Sequence, residues 1–127
     1  MNSEIKKIPD AELEVMKIIW NNDSPISTSK VKEICDEERN NSWSISTLQT
    51  LLNRLIERGF LETEKRGKER IYFPKIMEEE YLEFETKAFL KKIHGNSFSS
   101  LINTLYKSNE IDKSDIEDLY EWFKKEE

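Results

Sequence analysis

The sequence predicts a mainly α-helical protein with one small β-hairpin, and three observations predict it. Charged residues make up 36% of the 127 residues, with only three glycines and three prolines, a composition that favours helices. Apolar residues recur at helical spacing in six segments. The segment after Gly59 instead has short alternating runs around a glycine, which is typical of a hairpin. A change in composition after Pro74 predicts two domains, residues 1–74 and 75–127.

The first two predicted helices are short and are separated by a turn. Residues 1–9 lack a periodic pattern and predict a loose arm, after which Asp10 is the expected N-cap of a helix over Ala11–Trp20. Pro25 and the polar residues before it end that helix. Ser27 is the expected N-cap of the second helix. The apolar positions of the second helix are Val31, Ile34 and Cys35.

The third predicted helix begins near Ser44 or Ser46 and has the clearest pattern in the chain. Ser46 and Gln49 match the spacing of a capping box, in which two side chains satisfy free backbone N–H groups. Gly59 suits the position after the last turn, where a left-handed backbone conformation is common. The predicted core stripe consists of Ile45, Leu48, Leu51, Leu52 and Leu55.

A basic hairpin follows the third helix directly. Arg66-Gly67-Lys68 forms its turn, because Gly67 can adopt a positive φ. Three short helices followed by a hairpin that closes on the third are the layout of a winged helix-turn-helix, in which the hairpin is the wing. The two arms carry Leu61, Thr63 and Lys65 before the turn and Arg70 and Tyr72 after it.

The polar face of the third helix suits contact with DNA. Gln and Asn can bond adenine edges, Arg can bond guanine, and Ser and Thr hydroxyls can reach bases or phosphates. Short side chains also let a helix lie deep in the major groove. The polar positions opposite or beside the leucines are Ser46, Thr47, Gln49, Thr50, Asn53, Arg54 and Glu57. The wing adds four basic residues for the DNA backbone, Lys65, Arg66, Lys68 and Arg70.

The polar helix face and the basic hairpin each have a simpler interpretation when taken alone. A polar helix face is commonly just solvated, and a basic hairpin tip is commonly just a soluble turn. Their order along the chain favours DNA binding, but winged helices also bind proteins, so a protein-interaction module is the alternative. The net charge of −6 argues against a general, histone-like binder. Ser44–Pro74 nevertheless holds six basic against four acidic residues, a local positive excess.

Other functional classes find no support in the sequence. The single cysteine, Cys35, excludes an internal disulfide and a zinc cluster and is predicted to be a small core residue. His94 is isolated, and no Ser-His-Asp set, phosphate loop or metal-spaced cluster occurs. The sequence therefore predicts no enzyme, no cofactor and no metal. Without a signal peptide or a long apolar run, we expect a soluble, cytoplasmic protein.

Residues 75–127 predict a three-helix dimerisation domain. About fifty residues are too few for a well-buried independent core, and the large apolar side chains of a lone unit would form the kind of patch that marks an interface. A second copy would bury that patch, and the two-fold dimer would read a palindromic site. The alternative is that these helices fold back onto the same chain. The predicted interface is Tyr81, Phe84, Phe89, Phe98, Leu101, Leu105, Leu119, Tyr120, Trp122 and Phe123.

The chain combines two runs that together are specific for one protein family. They are AELEVMKIIW at Ala11–Trp20 and WSISTLQTLLNRL at Trp43–Leu55. With a Lys/Arg-Gly before Tyr72, they resemble the penicillinase-repressor family, the bacterial repressors of β-lactamase and methicillin-resistance genes. The resemblance covers nearly the whole chain. It implies a homodimeric repressor with a winged-helix N-terminal domain and a helical dimerisation domain. It also implies a DNA-facing set of Ser44, Thr47, Gln49, Thr50 and Arg54.

Departures from that family bear on DNA choice and on control. Family members carry Pro-Lys after Trp-Ser, and here the pair is Ile45-Ser46, which implies a different operator. The antibiotic-resistance repressors are switched off when a sensor protease system cuts an Asn-Phe bond within the dimerisation helices. The corresponding place here is Thr104-Leu105, or near Asn103, and the Asn-Phe pair is absent. A regulatory protease therefore stays a candidate partner. The cysteine cluster of a copper-responsive branch is also absent.

Overall fold

The computed structural model describes residues 5–38 and 42–126, and these residues form six helices and three strands. The predicted mainly helical fold with one hairpin is confirmed. The chain divides into two compact units, Met1–Phe84 and Glu85–Glu127. In chain order the elements are α1 (Asp10–Trp20), β1 (Ile26–Ser27), α2 (Thr28–Glu38), α3 (Ile45–Glu57), β2 (Leu61–Arg66), β3 (Glu69–Pro74), α4 (Glu78–His94), α5 (Phe98–Lys107) and α6 (Lys113–Glu126).

The first unit closes around one hydrophobic core. Helices α1, α2 and α3 contact one another and contribute fully buried side chains such as Met16, Val31 and Leu48. Cys35 is buried in the same core, as predicted. Full burial of a large apolar side chain contributes about 1.5–3 kcal/mol. The packing therefore fixes the orientation of α3, because its leucine stripe must face inward.

A three-stranded antiparallel sheet with strand order β1-β3-β2 completes this unit. Strands β2 and β3 form the predicted wing, in which Lys65 lies opposite Arg70 next to the turn. Gly67 makes the turn with a φ of +61°, as predicted. The sequence does not predict β1, because two residues are too few to show alternation. Ile26 of β1 pairs with Tyr72 and so attaches the start of α2 to the wing.

Helix starts differ from the prediction at two places. Pro9 is the N-cap of α1 and Asp10 is already helical, so the predicted cap is wrong by one position. In α3 the cap is Ser44, whose Oγ accepts a hydrogen bond from the backbone N–H of Thr47 at 3.1 Å. The predicted Ser46–Gln49 capping box is therefore wrong, because both of its residues lie inside the helix.

Two other predicted helix ends are confirmed. The backbone N–H of Lys30 donates to Ser27 Oγ at 3.1 Å, so Ser27 satisfies a free donor at the start of α2. Gly59 follows the last turn of α3 with a φ of +82°, a conformation that glycine adopts without steric cost. The chain can therefore turn sharply from α3 into the wing.

The described part of the N-terminal arm is packed rather than loose. Ile5 and Ile8 are buried, and the backbone N–H of Ile8 donates to the hydroxyl oxygen of Tyr81 at 2.9 Å. The predicted loose arm is therefore wrong between Ile5 and Ile8, while residues 1–4 lie outside the described residues. The error arises because isolated apolar residues have no periodicity to signal what they pack against.

Tyr81 attaches the start of α4 to the first unit. Its ring centroid lies 5.4 Å from that of Phe60 and 6.0 Å from those of Trp20 and Phe84. Trp20 Nε1 also donates to the carbonyl oxygen of Ile76 at 2.8 Å. The first unit thus extends past residue 74 into α4. Tyr81 is only 3% exposed, so its prediction as a dimer-interface residue is wrong, because its own chain already covers the ring.

The second unit contains the rest of α4 together with α5 and α6. Gly95 and Asn96 end α4 with φ values of +56° and +65°. At the start of α6, the N–H of Asp115 donates to Asp112 Oδ1 at 3.0 Å, and the N–H of Asp112 donates to Asp115 Oδ2 at 2.8 Å. These reciprocal caps define the helix end. Among residues 85–126, all of which the structure describes, none is buried.

Candidate nucleic-acid interface

The outer face of α3 carries the predicted polar residues, while four leucines of the helix are buried. Ile45 is the exception in the predicted core stripe, because it is 47% exposed. That prediction is wrong because helical spacing does not show where the covering elements end. The residues predicted to contact DNA are all exposed, namely Ser44, Ser46, Thr47, Gln49, Thr50, Asn53, Arg54, Lys65, Arg66, Lys68 and Arg70.

Two hydroxyl groups on this face donate their hydrogens within the protein. The Ser44 hydroxyl donates to Thr47 Oγ1 at 3.0 Å while accepting the N–H of the same residue. Thr50 Oγ1 donates to the carbonyl oxygen of Ser46, one turn earlier, at 3.1 Å. Thr50 Oγ1 keeps both lone pairs for an incoming donor. Ser44 Oγ keeps one as long as Ser46 Oγ, 3.4 Å away, does not donate to it. Both hydroxyls can therefore accept hydrogen bonds, but must rotate before donating one.

Gln49, Asn53 and Arg54 are the side chains of α3 best suited to reading bases. They are exposed, and within residues 5–38 and 42–126 no hydrogen bond or ion pair engages their side chains. An amide side chain offers adenine one donor and one acceptor, and a guanidinium offers guanine two donors. These three groups need not break an internal contact before they meet a base edge.

The wing presents positive charge on both arms. Lys65 and Arg70 lie directly opposite each other, and like charges in this position destabilise a hairpin. Arg66 is partly neutralised, because its Nε lies 3.0 Å from Glu64 Oε1. Lys68 is exposed at the turn, with no ion pair in the described part of the chain. The strongest free charge therefore comes from Lys65, Lys68 and Arg70.

A groove of about 400 Å³ lies between the start of α3 and the wing. Ile45 and Gln49 form its α3 wall, and Thr28 and Ser29 add the first residues of α2. The sequence predictions did not include Thr28 and Ser29, although their position after the Ser27 cap was an available signal. The wing contributes the remaining lining, three cations and one carboxylate, Lys65, Lys68, Arg70 and Glu69.

A polar network holds the chain just before α3. Lys32 Nζ lies 2.6 Å from Asp36 Oδ1 and donates to Ser42 Oγ at 3.1 Å, while the Ser42 hydroxyl also donates to Asp36. The hydrogen bond from Lys32, followed by that from Ser42, lowers the pKa of Asp36 below its ordinary value. The carboxylate thus stays charged and keeps Ser42 in place close to the Ser44 cap.

An ion pair between a buried carboxylate and a partly exposed guanidinium ties the end of α3 to α1. Glu12 is 1% exposed, and its Oε1 lies 2.7 Å from Nε of Arg58, the C-cap residue of α3. The contact is an ion pair without hydrogen-bond alignment, since that oxygen has no hydrogen-bond partner among the described residues. Loss of Arg58 would leave a buried charge unpaired, which is strongly destabilising. The sequence predictions missed this pair, because each residue alone resembles an ordinary surface charge.

The part of the chain that the structure describes has neither a membrane-spanning helix nor a cluster of metal ligands. No helix there combines the length and the apolar character that crossing a membrane requires. No group of three or more His, Cys, Asp or Glu side chains is placed to hold a metal ion in those residues.

Known proteins resemble this chain along most of its length. A family model described as penicillinase repressor matches residues 8–125. The penicillinase repressor of Bacillus licheniformis is 35% identical over 120 residues, covering 92% of this chain and 91% of that protein. The methicillin resistance regulatory protein MecI of Staphylococcus aureus strain N315 is 30% identical over 120 residues, covering 94% of both.

Two solved structures are similar in fold. The solution structure of the DNA-binding domain of the repressor BlaI is 44% identical, with a TM-score of 0.51, and covers 61% of this chain and 94% of that one. The monomeric form of Bacillus licheniformis BlaI, in complex with the blaP half-operator, is 44% identical with a TM-score of 0.50, covering 61% and 90%. The predicted winged-helix fold is thereby confirmed. The chain belongs to the penicillinase repressor family, whose members are DNA-binding regulators and not enzymes.

Proposed function

We propose that this protein represses transcription by binding a palindromic operator as a homodimer. In each copy α3 enters the major groove and the wing lies on the neighbouring DNA backbone. One observation carries the proposal: an α3 face with unengaged base-reading side chains shares a groove with a basic wing. The likeness to a BlaI structure that contains a half-operator supports it.

In this arrangement α3 specifies the DNA sequence. Gln49 and Asn53 bond adenine edges, and Arg54 bonds guanine. Ser44 and Thr50 accept hydrogen bonds from base amino groups, because their own hydrogens are engaged inside the protein. A phosphate oxygen is itself an acceptor, so either hydroxyl would have to rotate out of its internal hydrogen bond to bind one. The hydroxyls of Ser46 and Thr47 supply the remaining contacts near the start of the helix.

The wing supplies affinity rather than sequence choice. Lys65, Lys68 and Arg70 neutralise phosphates along the groove, and the counterions released make binding weaken as salt rises. Arg66 contributes less than the others, since Glu64 already neutralises part of its charge. Thr28 and Ser29 line the same groove and extend the contact surface to α2.

The C-terminal unit supplies the dimer interface in this proposal. Large apolar side chains in water carry a cost of about 25 cal/mol per Å² that a second copy would remove. We assign the interface to residues 85–127 together with Phe84, because Tyr81 belongs to the first core. The proposed contacts are Phe84, Phe89, Phe98, Leu101, Leu105, Leu119, Tyr120, Trp122 and Phe123.

The solved BlaI complex supports a two-part operator. That complex contains a monomeric form of BlaI bound to the blaP half-operator. A two-fold dimer of the present chain would place one α3 in each half, with the centres about one helical turn or a multiple of it apart.

A regulatory protease remains a candidate partner, with Thr104-Leu105 as the place to examine. Both residues lie inside α5, and Thr104 Oγ1 donates to the carbonyl oxygen of Ser100 at 2.9 Å. A protease needs an extended backbone, so a cut there would require α5 to unfold locally. Derepression by this route would therefore depend on opening of the helix as well as on recognition of the residues.

Binding of the purified protein to DNA from upstream of its own gene tests the proposal. We expect tight binding by two copies per site that falls steeply as salt rises, and weak binding to a scrambled duplex of equal composition. Lys17→Ala, which removes an exposed charge outside the groove, should bind both duplexes as wild type does. Equal, weak binding to both duplexes would overturn the proposal and favour a protein partner for the α3 face.

A further inference from the structure

Ile45 has an exposed side chain where the sequence predicts a buried one. It is the first residue of α3, is 47% exposed, and lies one turn before Gln49. A β-branched residue is a weaker helix former than alanine. Neither core packing nor helix propensity therefore accounts for an isoleucine at this position.

The surroundings of Ile45 are polar and mostly positive. It lines the groove between α3 and the wing, together with Gln49 and the hydroxyl residues of α2. Across the groove lie Lys65, Lys68 and Arg70, with Glu69 as the single carboxylate. Three cations against one anion match the phosphates of a DNA strand in charge. In a complex with such a partner, the exposed part of an apolar side chain on this wall can be buried favourably only against an apolar feature of that partner.

Only one apolar group projects from base edges into the major groove, the C5-methyl of thymine. Ile45 and Gln49 are four residues apart, which is about 6 Å along a helix. Base pairs are about 3.4 Å apart. A methyl group that Ile45 reaches would thus belong to a base pair about two steps from the one that Gln49 contacts.

We propose that Ile45 determines specificity by contacting the methyl group of a thymine in the operator, about two base steps from the pair that Gln49 reads. This inference rests on the proposed function, in which α3 lies in the major groove. It adds an apolar reading position to a helix face that otherwise reads DNA through hydrogen bonds. The contact favours T·A over U·A, a distinction that no hydrogen-bonding side chain makes.

Replacing thymine by deoxyuridine removes the methyl group and leaves every base-pair hydrogen bond intact. We would take the duplex that the full chain protects upstream of its gene and make this replacement one position at a time. Wild type should lose about fourfold in affinity at one thymine per half-site, the effect of one buried methyl group. Ile45→Ala should bind the unmodified duplex more weakly and be indifferent to deoxyuridine at that position.

Two variants make the result specific. Gln49→Ala should bind more weakly overall yet keep the fourfold difference between thymine and deoxyuridine, because its contact lies on another base pair. Ile45→Val, which shortens the side chain by one carbon, should keep part of the difference. Thermal unfolding of Ile45→Ala should match wild type, because the side chain is not in the core.

The outcomes separate this proposal from the one on which it rests. Selective operator binding that is insensitive to deoxyuridine at every position would overturn the role of Ile45 and leave the repressor function intact. Equal sensitivity in wild type and Ile45→Ala would also overturn it, because the methyl group would then act through DNA shape. Absence of selective binding by wild type would overturn both proposals.

Discussion

Between Ile5 and Phe84, aromatic rings such as Tyr72 and Phe60 are buried in a closed core, whereas Tyr120 and Trp122 in the second unit are more than half exposed. Both regions contain large apolar residues, so composition does not distinguish them. The difference lies in closure, since the first unit buries its apolar surface within the chain and residues 85–126 bury none completely. We infer that one region is built to fold alone and the other to fold with a copy.

The largest expected effect is on the stability of the first unit, and it comes from loss of Tyr81. Tyr81→Ala should lower the free energy of unfolding by about 3–5 kcal/mol, because it empties a buried aromatic site among Trp20, Phe60 and Phe84. Tyr81→Phe should cost about 1–3 kcal/mol, since it leaves the N–H of Ile8 without its partner. Urea unfolding of the full chain measures both. Equal costs would show that the ring contributes nothing to the core.

Changes in the second unit should affect assembly of the dimer rather than folding of the first unit. Trp122→Ala should weaken the dimer by about thirtyfold or more, the effect of losing an interface hot spot. Sedimentation across a concentration series measures this change. Glu121→Ala, at the neighbouring exposed position, is the matched control and should leave the dimer intact. Unchanged sedimentation of Trp122→Ala would contradict the interface assignment.

Changes on α3 should affect DNA choice without affecting either unit. Arg54→Ala and Gln49→Ala should each weaken operator binding by about 1–3 kcal/mol and relax the preference at one base pair. Their unfolding and sedimentation should match wild type, because both side chains are exposed and unengaged. Competition binding with single-base operator variants is the measurement. An equal loss on all sequences would show that α3 does not specify.

The smallest effect should come from the wing. Lys68→Ala should weaken binding to every duplex to the same extent and reduce the slope of log affinity against log salt by about one. Arg66→Ala should reduce it less, because Glu64 already neutralises part of that charge. A salt titration of both variants makes the comparison. A larger loss for Arg66 would contradict the assignment of free charge to the wing tip.

Helix α3 and the wing could be predicted from the sequence because their signals are local. The leucine stripe, Gly59 after the last turn and Gly67 in the hairpin each act within a few residues. The choice of exposed polar positions followed from the same periodicity. Their contact with DNA remains a prediction, because exposure alone does not identify a ligand.

The rest depends on contacts between residues far apart in the chain. Periodicity assigned Ile45 to the core, but only the neighbouring elements decide how far a stripe is covered. The Glu12–Arg58 ion pair and the Ile8–Tyr81 hydrogen bond join distant segments, and neither partner carries a signal of the other. The same holds for Tyr81, since an aromatic residue at a helix start looks equally suited to a core and to an interface.

Lys65 and Arg70 lie opposite each other on the wing, and their repulsion affects the wing when no DNA is bound. Their repulsion is screened as ionic strength rises, because the Debye length shrinks from about 10 Å at 0.1 M to about 3 Å at 1 M salt. The free wing is therefore most strained in dilute buffer, the condition in which DNA binds most strongly. In the proposed complex, a phosphate between the two cations would relieve that strain, and we expect the bound wing to be stiffer than the free one. Rising salt thus stabilises the free hairpin but weakens its binding to the duplex.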